Sequence, residues 1–300
     1  MKTILIGAVT TTRRVLETMV EVNFPISYVF SLDDAVSENV SDYDPIFETA
    51  EKFNVPYKKF KKINDEENVK IIKEIEPDYI FVIGLSQLVK GEIINAAKKG
   101  VVGFHPAPLP KYRGRATNVW QQLLGVKESA VSVFFIDDGI DSGDILAQEP
   151  YYIGENDYCQ DVLDKIDEAA IIAMRKVLIG LRDNTLVPVK QNDEEATYTL
   201  KRSPEDGLID WNQSIRDIHL LIRAISRPYP GAFSMYDGKS KIVIYKAEVL
   251  ENKKYIGFNG QIAELRKDGF DVVCKDGLLR VTDYENVDNV KMFVGHRFRG

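Results

Sequence analysis

Cysteine is nearly absent from this 300-residue chain: Cys159 and Cys274 are the only two, and they lie far apart in sequence. They form neither a disulfide framework nor a zinc knuckle, which suits a reducing compartment. Long apolar runs are missing as well. The chain opens Met-Lys-Thr-Ile-Leu-Ile-Gly-Ala-Val and turns polar at Thr10, too short a stretch for a signal-peptide core or a membrane span. The expectation is a cytoplasmic protein with no membrane contact. Positive charge is not in excess, since 39 Lys and Arg face 46 Asp and Glu for a net charge of -7. That balance argues against a protein whose main task is gripping a phosphate backbone. Finally, Gly7 stands alone after the first apolar run, so the Gly-x-Gly-x-x-Gly dinucleotide fingerprint is absent and a nicotinamide or flavin role loses its main support.

Apolar residues make up 44% of the chain and charged residues 28%, enough for a sizeable core and, at this length, for two domains. Residues 4–9, 26–30 and 79–83 read as buried strands. They alternate with helical spacing after Val15, over 46–53 and over 66–75, where Pro77 ends the last helix. Strands alternating with helices imply a doubly wound, mostly parallel α/β sheet. Residues 131–136 add a strand and 159–181 carry the longest helical pattern, while the polar run around Lys190 to Thr197 reads as an interdomain connection. Beyond it lie one amphipathic helix, 215–225, and short strands at 242–245, 260–265, 270–274 and 278–281 with Asp-Gly turns at 237, 268 and 276. A small, mostly β, barrel-like second domain is expected over 201–300, after an α/β domain over 1–200. Residues 201–300 hold 17 basic and 14 acidic side chains, against 22 and 32 in residues 1–200.

Two loops carry the chemistry. The first, residues 101–115, runs Val-Val-Gly-Phe-His-Pro-Ala-Pro-Leu-Pro-Lys-Tyr-Arg-Gly-Arg. Prolines 106, 108 and 110 stiffen it, so His105 at the strand end is held in place. Carboxyl ends of parallel strands are where such folds bind ligands. Lys111, Arg113 and Arg115 beside the histidine fit a phosphate or pyrophosphate, because arginine offers a bidentate fork. The second loop, 134–146, places Asp137, Asp138, Asp141 and Asp144 around Gly139 and Gly143. It lacks the periodicity of a calcium loop, and turn-forming aspartates account for it, so no metal is expected. His219, within the 215–225 helix, reads as a surface residue.

Together the loops resemble those of the 10-formyltetrahydrofolate-dependent formyltransferases, a family that includes methionyl-tRNA formyltransferases and amino-sugar N-formyltransferases. The family pattern is Asn-x-His-Pro-x-Leu-Leu-Pro-x-Tyr-Arg-Gly, followed about 30 residues later by Asp-x-Gly-x-Asp-Ser/Thr-Gly-Asp, and His105 and Asp141 fall at the matching places. The likeness continues through residues 200–211 and 222–233. The run Lys-Tyr-Arg-Gly-Arg-Ala at 111–116 resembles the amino-sugar branch. One position departs: the family's Asn, two residues before the histidine, is Gly103. A lost oxyanion donor of that type costs about 100- to 1000-fold in rate. Asn118 is a candidate substitute.

The resemblance implies transfer of a formyl group to a primary amine. Such a reaction needs a base to take the amine proton and stabilisation of a tetrahedral oxyanion. Histidine, with an ordinary pKa of about 6.5, suits proton shuttling near neutrality, and a neighbouring carboxylate fixes its tautomer and stabilises the imidazolium. His105 is therefore the expected base and Asp141 its orienter. Val82, Gly84 and Leu88, with Asp138 and Ile140, are the expected contacts of the folate co-substrate. Lys111, Tyr112, Arg113, Arg115 and Arg202 are the expected contacts of a nucleotide-linked amino sugar. No nucleic-acid partner is expected, and a homodimer is carried as an expectation. Two rivals stand beside this reading: formylation of methionyl-tRNA, which needs an extended electropositive surface, and a binding module that kept the fold but lost turnover.

Overall fold

The structure, a computed structural model, describes residues 1–38, 40, 42–251 and 254–299. Two compact units emerge. The first comprises Met1–Thr117, Glu128–Tyr152 and Asp164–Leu200. The second comprises Asn118–Lys127, Ile153–Leu163 and Lys201–Gly300. The last segment of the first unit ends at Leu200, and two short earlier segments cluster with the second unit.

In chain order the first unit contains strand β1 (Thr3–Gly7), helix α1 (Thr10–Glu21), β2 (Tyr28–Leu32), α2 (Ile46–Lys52), β3 (Tyr57–Phe60), α3 (Glu66–Ile75), β4 (Tyr79–Ile83), α4 (Gly91–Ile94), β5 (Gly100–His105) and β6 (Arg113–Gly114). After helix α5 (Thr117–Leu123) come β7 (Glu128–Ile136), β8 (Ile145–Tyr152), helix α6 (Cys159–Arg182) and β9 (Tyr198–Thr199). Seven strands form one sheet in the order β3-β2-β1-β4-β5-β7-β8. The first five run parallel, β7 pairs antiparallel to β5, and β8 pairs antiparallel to β7.

Alternation along β1 shows why the sheet needs cover on both faces. Leu5 joins one core with Leu16 and Met19 of α1, Ala50 of α2 and Val177 of α6. Ile4 and Ile6 join the opposite core with Val69 and Ile72 of α3 and Ile93 of α4. Helix α3 has Glu66 and Glu67 in its first turn and Lys73 in its last, as the helix dipole favours. Strands β3 and β8 are absent from the sequence reading for a physical reason. Both include exposed or half-exposed faces, and Tyr57-Lys58-Lys59-Phe60 at the sheet edge presents no apolar run.

The strand order reverses between β1 and β4, and there the two carboxyl ends approach closely. A Cβ on Gly7 would lie 2.3 Å from the Ile83 carbonyl oxygen, so that contact requires glycine. Thr12 bridges the same ends: its hydroxyl donates to the Ile83 carbonyl at 2.7 Å and accepts from the Ala8 amide at 3.3 Å.

The second unit holds helix α7 (Ile215–Ala224) and strands β10 (Ala232–Tyr236), β11 (Ser240–Leu250), β12 (Ile262–Arg266), β13 (Gly269–Val273), β14 (Leu278–Asn286) and β15 (Phe298–Arg299). They make an antiparallel sheet ordered β12-β13-β14-β11-β10-β15. Asp237 and Gly238 turn β10 into β11 with φ of 51° and 72°, the pair of left-handed residues a tight hairpin demands. Ile218, Ile222, Trp211, Phe270, Val281 and Phe298 close its core. Among the described residues no helix is long and apolar enough to cross a membrane.

Both cysteines are buried in this second unit, and burial pushes each thiol up to about 12. An unfolded thiol titrates near 8.5. The protonated thiols therefore contribute stability that is fully present below about pH 8.5 and is lost as pH rises toward 12. We expect neither thiol to react with a thiolate-trapping disulfide reagent at pH 8 in the native protein, and both to react in denaturant. Rapid labelling of the native protein would refute this.

Candidate active site

His105 ends β5, where it pairs with Ser132 of β7. The following loop is held by side chains from β7 and β8 as well as by its prolines. The Ser132 hydroxyl donates to the Ala107 carbonyl at 2.6 Å and accepts from the Leu109 amide at 3.1 Å. Gln148 donates to the Leu109 carbonyl at 3.0 Å, and the Tyr151 hydroxyl to the Pro106 carbonyl at 3.0 Å.

The imidazole is buried. Its Nε2 lies 2.7 Å from the Tyr112 carbonyl oxygen. A carbonyl can only accept, so Nε2 carries the hydrogen and, in the neutral ring, the lone pair falls on Nδ1. Nδ1 faces Asp141, whose Oδ2 is 3.5 Å away. This geometry changes the role expected of Asp141. The backbone of Tyr112 sets the tautomer, and the carboxylate stands where charge develops when Nδ1 takes a proton.

Asp141 is itself positioned. It adopts the left-handed region with φ of 50°, and its Oδ2 accepts from the Gly114 amide at 2.8 Å. Gly114 sits at φ of 109°, and a Cβ there would lie 2.4 Å from the Thr199 carbonyl oxygen. Gly114→Ala is thus expected to destabilise the protein by roughly 2 kcal/mol or more, from backbone strain plus the clash, and to lower the rate by displacing Asp141. Thermal unfolding compared with steady-state turnover checks both; an unchanged melting point would contradict the geometry. In the second loop, Asp137 accepts from Ser142 at 2.8 Å and from the Gly139 amide at 3.0 Å, which makes it a turn former.

Arg113 corrects an expectation. It is 2% exposed, and its guanidinium is engaged by the protein itself. Nε and Nη2 donate to Gln191 Oε1 at 3.1 and 2.8 Å, Nη2 to Asp193 at 2.8 Å, and Nη1 to the Tyr198 hydroxyl at 3.2 Å. No face remains for a substrate phosphate. Gln191, in turn, donates to the Asp141 and Gly143 carbonyls at 2.8 and 2.7 Å. The polar run read as an interdomain connection is therefore the brace that joins both loops, reinforced by the parallel pairing of β6 with β9. Nothing in its composition signals this, because the residues it braces lie 48 to 85 positions earlier.

The other expected contacts divide. Lys111 and Arg115 are exposed beside Tyr112, which has φ of 60°. Val82 and Gly84 lie at the end of β4, next to β5. Gly84 has φ of 59°, and a Cβ there would meet Val9 at 2.0 Å. The loop beyond is pinned from the 61–64 segment: Gln87 donates to the Lys61 carbonyl at 2.7 Å and Asn64 to the Leu88 carbonyl at 2.8 Å. The Leu88 side chain is left 82% exposed, as Ile140 is at 62%, and Asp138 is exposed too. A rigid loop presenting apolar side chains fits a flat heteroaromatic ring such as a pterin. Arg202 belongs to the second unit, where it lies 5.0 Å over Trp120 and donates to the Asp206 carbonyl at 2.9 Å. Asn118, also of that unit, donates its amide to the Tyr229 hydroxyl at 2.9 Å. A Cβ at Gly103 would meet Ile136 Cδ1 at 2.9 Å, so an apolar side chain crowds the place of the family's amide. Among the described residues no three His, Cys, Asp or Glu side chains come together as metal ligands.

Residues 4–178 match the formyl transferase family, and residues 201–295 match the formyl transferase C-terminal domain. The chain belongs to the formyltransferase family. Relatives agree. The methionyl-tRNA formyltransferase of Clostridium tetani is 32% identical over 85% of this chain and 82% of its own. The bifunctional polymyxin resistance protein ArnA of Wigglesworthia glossinidia brevipalpis is 30% identical over 92% of this chain and 43% of its own. Among solved structures, the N-formyltransferase from Helicobacter canadensis, in complex with folinic acid and dTDP-3-aminofucose, shares the fold with a TM-score of 0.67 at 22% identity over 95% of this chain and 100% of that one. HypX from Aquifex aeolicus, in complex with tetrahydrofolic acid, gives 0.69 at 16% identity, and this formyltransferase covers 95% of its own length but 44% of HypX. Family membership makes the chain an enzyme and removes the reading as a binding module without turnover.

Proposed function

We propose that this formyltransferase moves the formyl group of 10-formyltetrahydrofolate to the primary amine of a nucleotide-linked amino sugar. The pairing of His105 Nδ1 with Asp141 carries the mechanistic part. Nδ1 takes a proton from the attacking amine and later returns it to the departing nitrogen, while Asp141 stabilises the imidazolium between those steps. The folate supplies an activated formyl carbon, and Val82, Gly84, Leu88 and Ile140, with Asp138, are the residues that would hold it. Crystal complexes of fold neighbours with folinic acid and tetrahydrofolic acid support that donor.

For the acceptor, the supporting observation is charge. Residues 1–200 carry 22 basic against 32 acidic side chains, and burial of Arg113 leaves Lys111 and Arg115 exposed on the loop after His105. Two exposed cations on one loop fit one diphosphate, whereas a tRNA needs an extended basic surface. Likeness to the Clostridium tetani enzyme favours the second reading, formylation of methionyl-tRNA. A panel of nucleotide-linked amino sugars and charged initiator tRNA, with tetrahydrofolate release as readout, separates them. Turnover of a sugar and none of the tRNA is expected; formylated methionyl-tRNA reverses the assignment. Gly103→Asn combined with Ile136→Ala, which clears the space, is expected to raise turnover about tenfold, a fraction of what one oxyanion donor supplies elsewhere. An unchanged rate would show that another group already fills that role.

A further inference from the structure

A cavity of about 640 Å³ opens in the second unit, lined by the residues before α6, one face of α7 and the middle of β11. Arg216, His219 and Arg223 recur at helical spacing, so α7 turns three nitrogen-bearing side chains toward one space. Arg223 is the unusual one. It is 8% exposed, its Nη1 donates to the Asp157 carbonyl at 2.8 Å, and its buried Nε has no partner. Among the described residues no carboxylate stands within ion-pair distance of it. Asp157 and Glu155 favour its charged form from beyond contact distance while burial opposes it, so the buried Nε still lacks a direct acceptor, and a cavity beside it is where one would come from.

The remaining lining defines the ligand. Arg216 is drawn aside by Glu251 at 2.5 Å, both exposed. Lys246 is exposed, and its Nζ lies 5.9 Å from the Tyr158 ring centre. The Tyr158 hydroxyl donates to the Ala247 carbonyl at 3.0 Å, fixing that ring as a wall. Glu155 and Glu248 are exposed at the rim. The space has room for an organic group beside an anion, with Tyr158, Ala247 and Val249 as the wall it would lie against. We propose that this cavity is a second ligand site, taking a small organic phosphate monoester whose phosphate pairs with Arg223 and whose remainder lies against Tyr158. Burial and the neighbouring Arg223 lower the His219 pKa, and a bound dianion would reverse that push and let His219 join Arg223 as a donor. His219 is thus a cavity residue, where helical spacing alone read it as surface.

The test titrates the full chain with AMP, glycerol 3-phosphate, inorganic phosphate and acetate by calorimetry at fixed ionic strength. Saturable binding of a monoester is expected. It should weaken roughly tenfold or more in Arg223→Gln, the usual consequence of losing a charge-assisted contact, while formyl transfer stays at the wild-type rate. Should Arg223→Gln fail to fold, the Arg216→Ala/Lys246→Ala variant decides, since both side chains are exposed; it should weaken binding as well. Absence of binding by every phosphate probe overturns the proposal, as does binding that neither variant alters. Binding of acetate in preference to phosphate overturns the phosphate assignment. Salt-sensitive tRNA binding lost in the same variants would replace the small ligand with a nucleic acid.

Discussion

His105→Asn lowers turnover by about 100- to 10,000-fold, the span that a positioned general base contributes, while leaving folate affinity near its wild-type value. The expectation follows from which nitrogen is free. Nε2–H is committed to the Tyr112 carbonyl and Nδ1 faces Asp141. An asparagine can reproduce one of these contacts, but its amide accepts no proton at neutral pH. Asp141→Asn separates charge from position. The amide oxygen can still accept from the Gly114 amide, so the loop stays in place, yet the imidazolium loses its counter-charge. Its rate should therefore fall without a matching fall in melting temperature. Asp141→Ala, which also frees the Gly114 amide, should lose both. Single-turnover kinetics with each purified variant, beside thermal unfolding, reads the two effects independently. Wild-type-like turnover in His105→Asn would end the assignment of this histidine as the base.

The proposed pair of His105 and Asp141 could be picked out because both residues belong to short loops whose local order is visible in sequence, and the structure brings the two within 3.5 Å. A histidine in a proline-stiffened strand end and an aspartate between glycines announce themselves. So did the doubly wound sheet, since buried parallel strands appear as uninterrupted apolar runs such as Ile4 to Ile6 and Tyr79 to Ile83. What stayed hidden depends on partners remote in sequence. Arg113 beside Tyr112 has the look of a phosphate contact. Whether its guanidinium faces solvent or interior is decided by Gln191, Asp193 and Tyr198, which no local pattern links to it. The empty amide position at Gly103 was visible, but its occupation by Ile136 from the neighbouring strand was not. Edge strands such as β3 were lost because an exposed strand has no need of an apolar run.

Arg113→Met should destabilise the first unit by about 2–3 kcal/mol and reduce turnover as a consequence. The methionine stem fills most of the volume, so the cost is chiefly polar. Gln191 Oε1 loses both donors in a buried setting, and an orphaned buried acceptor costs about 1–3 kcal/mol. The bond to Tyr198 goes too, whereas the exposed Asp193 carboxylate returns to water at little cost. Relief from holding a desolvated guanidinium offsets part of this. For a unit of this size the loss corresponds to a fall in melting temperature of roughly 4–12 °C. Arg113→Lys keeps the charge but cannot span Gln191, Asp193 and Tyr198 with one fork, so it should recover little of the loss. A brace and a substrate contact leave different signatures. Loosening the brace shifts Gln191, and with it the loop that carries Asp141, so kcat falls together with stability. Removing a substrate contact would raise KM and leave the melting temperature where it was. Measurement of kcat, KM and thermal unfolding on Arg113→Met distinguishes the two, and a raised KM at unchanged stability would return this arginine to the substrate site.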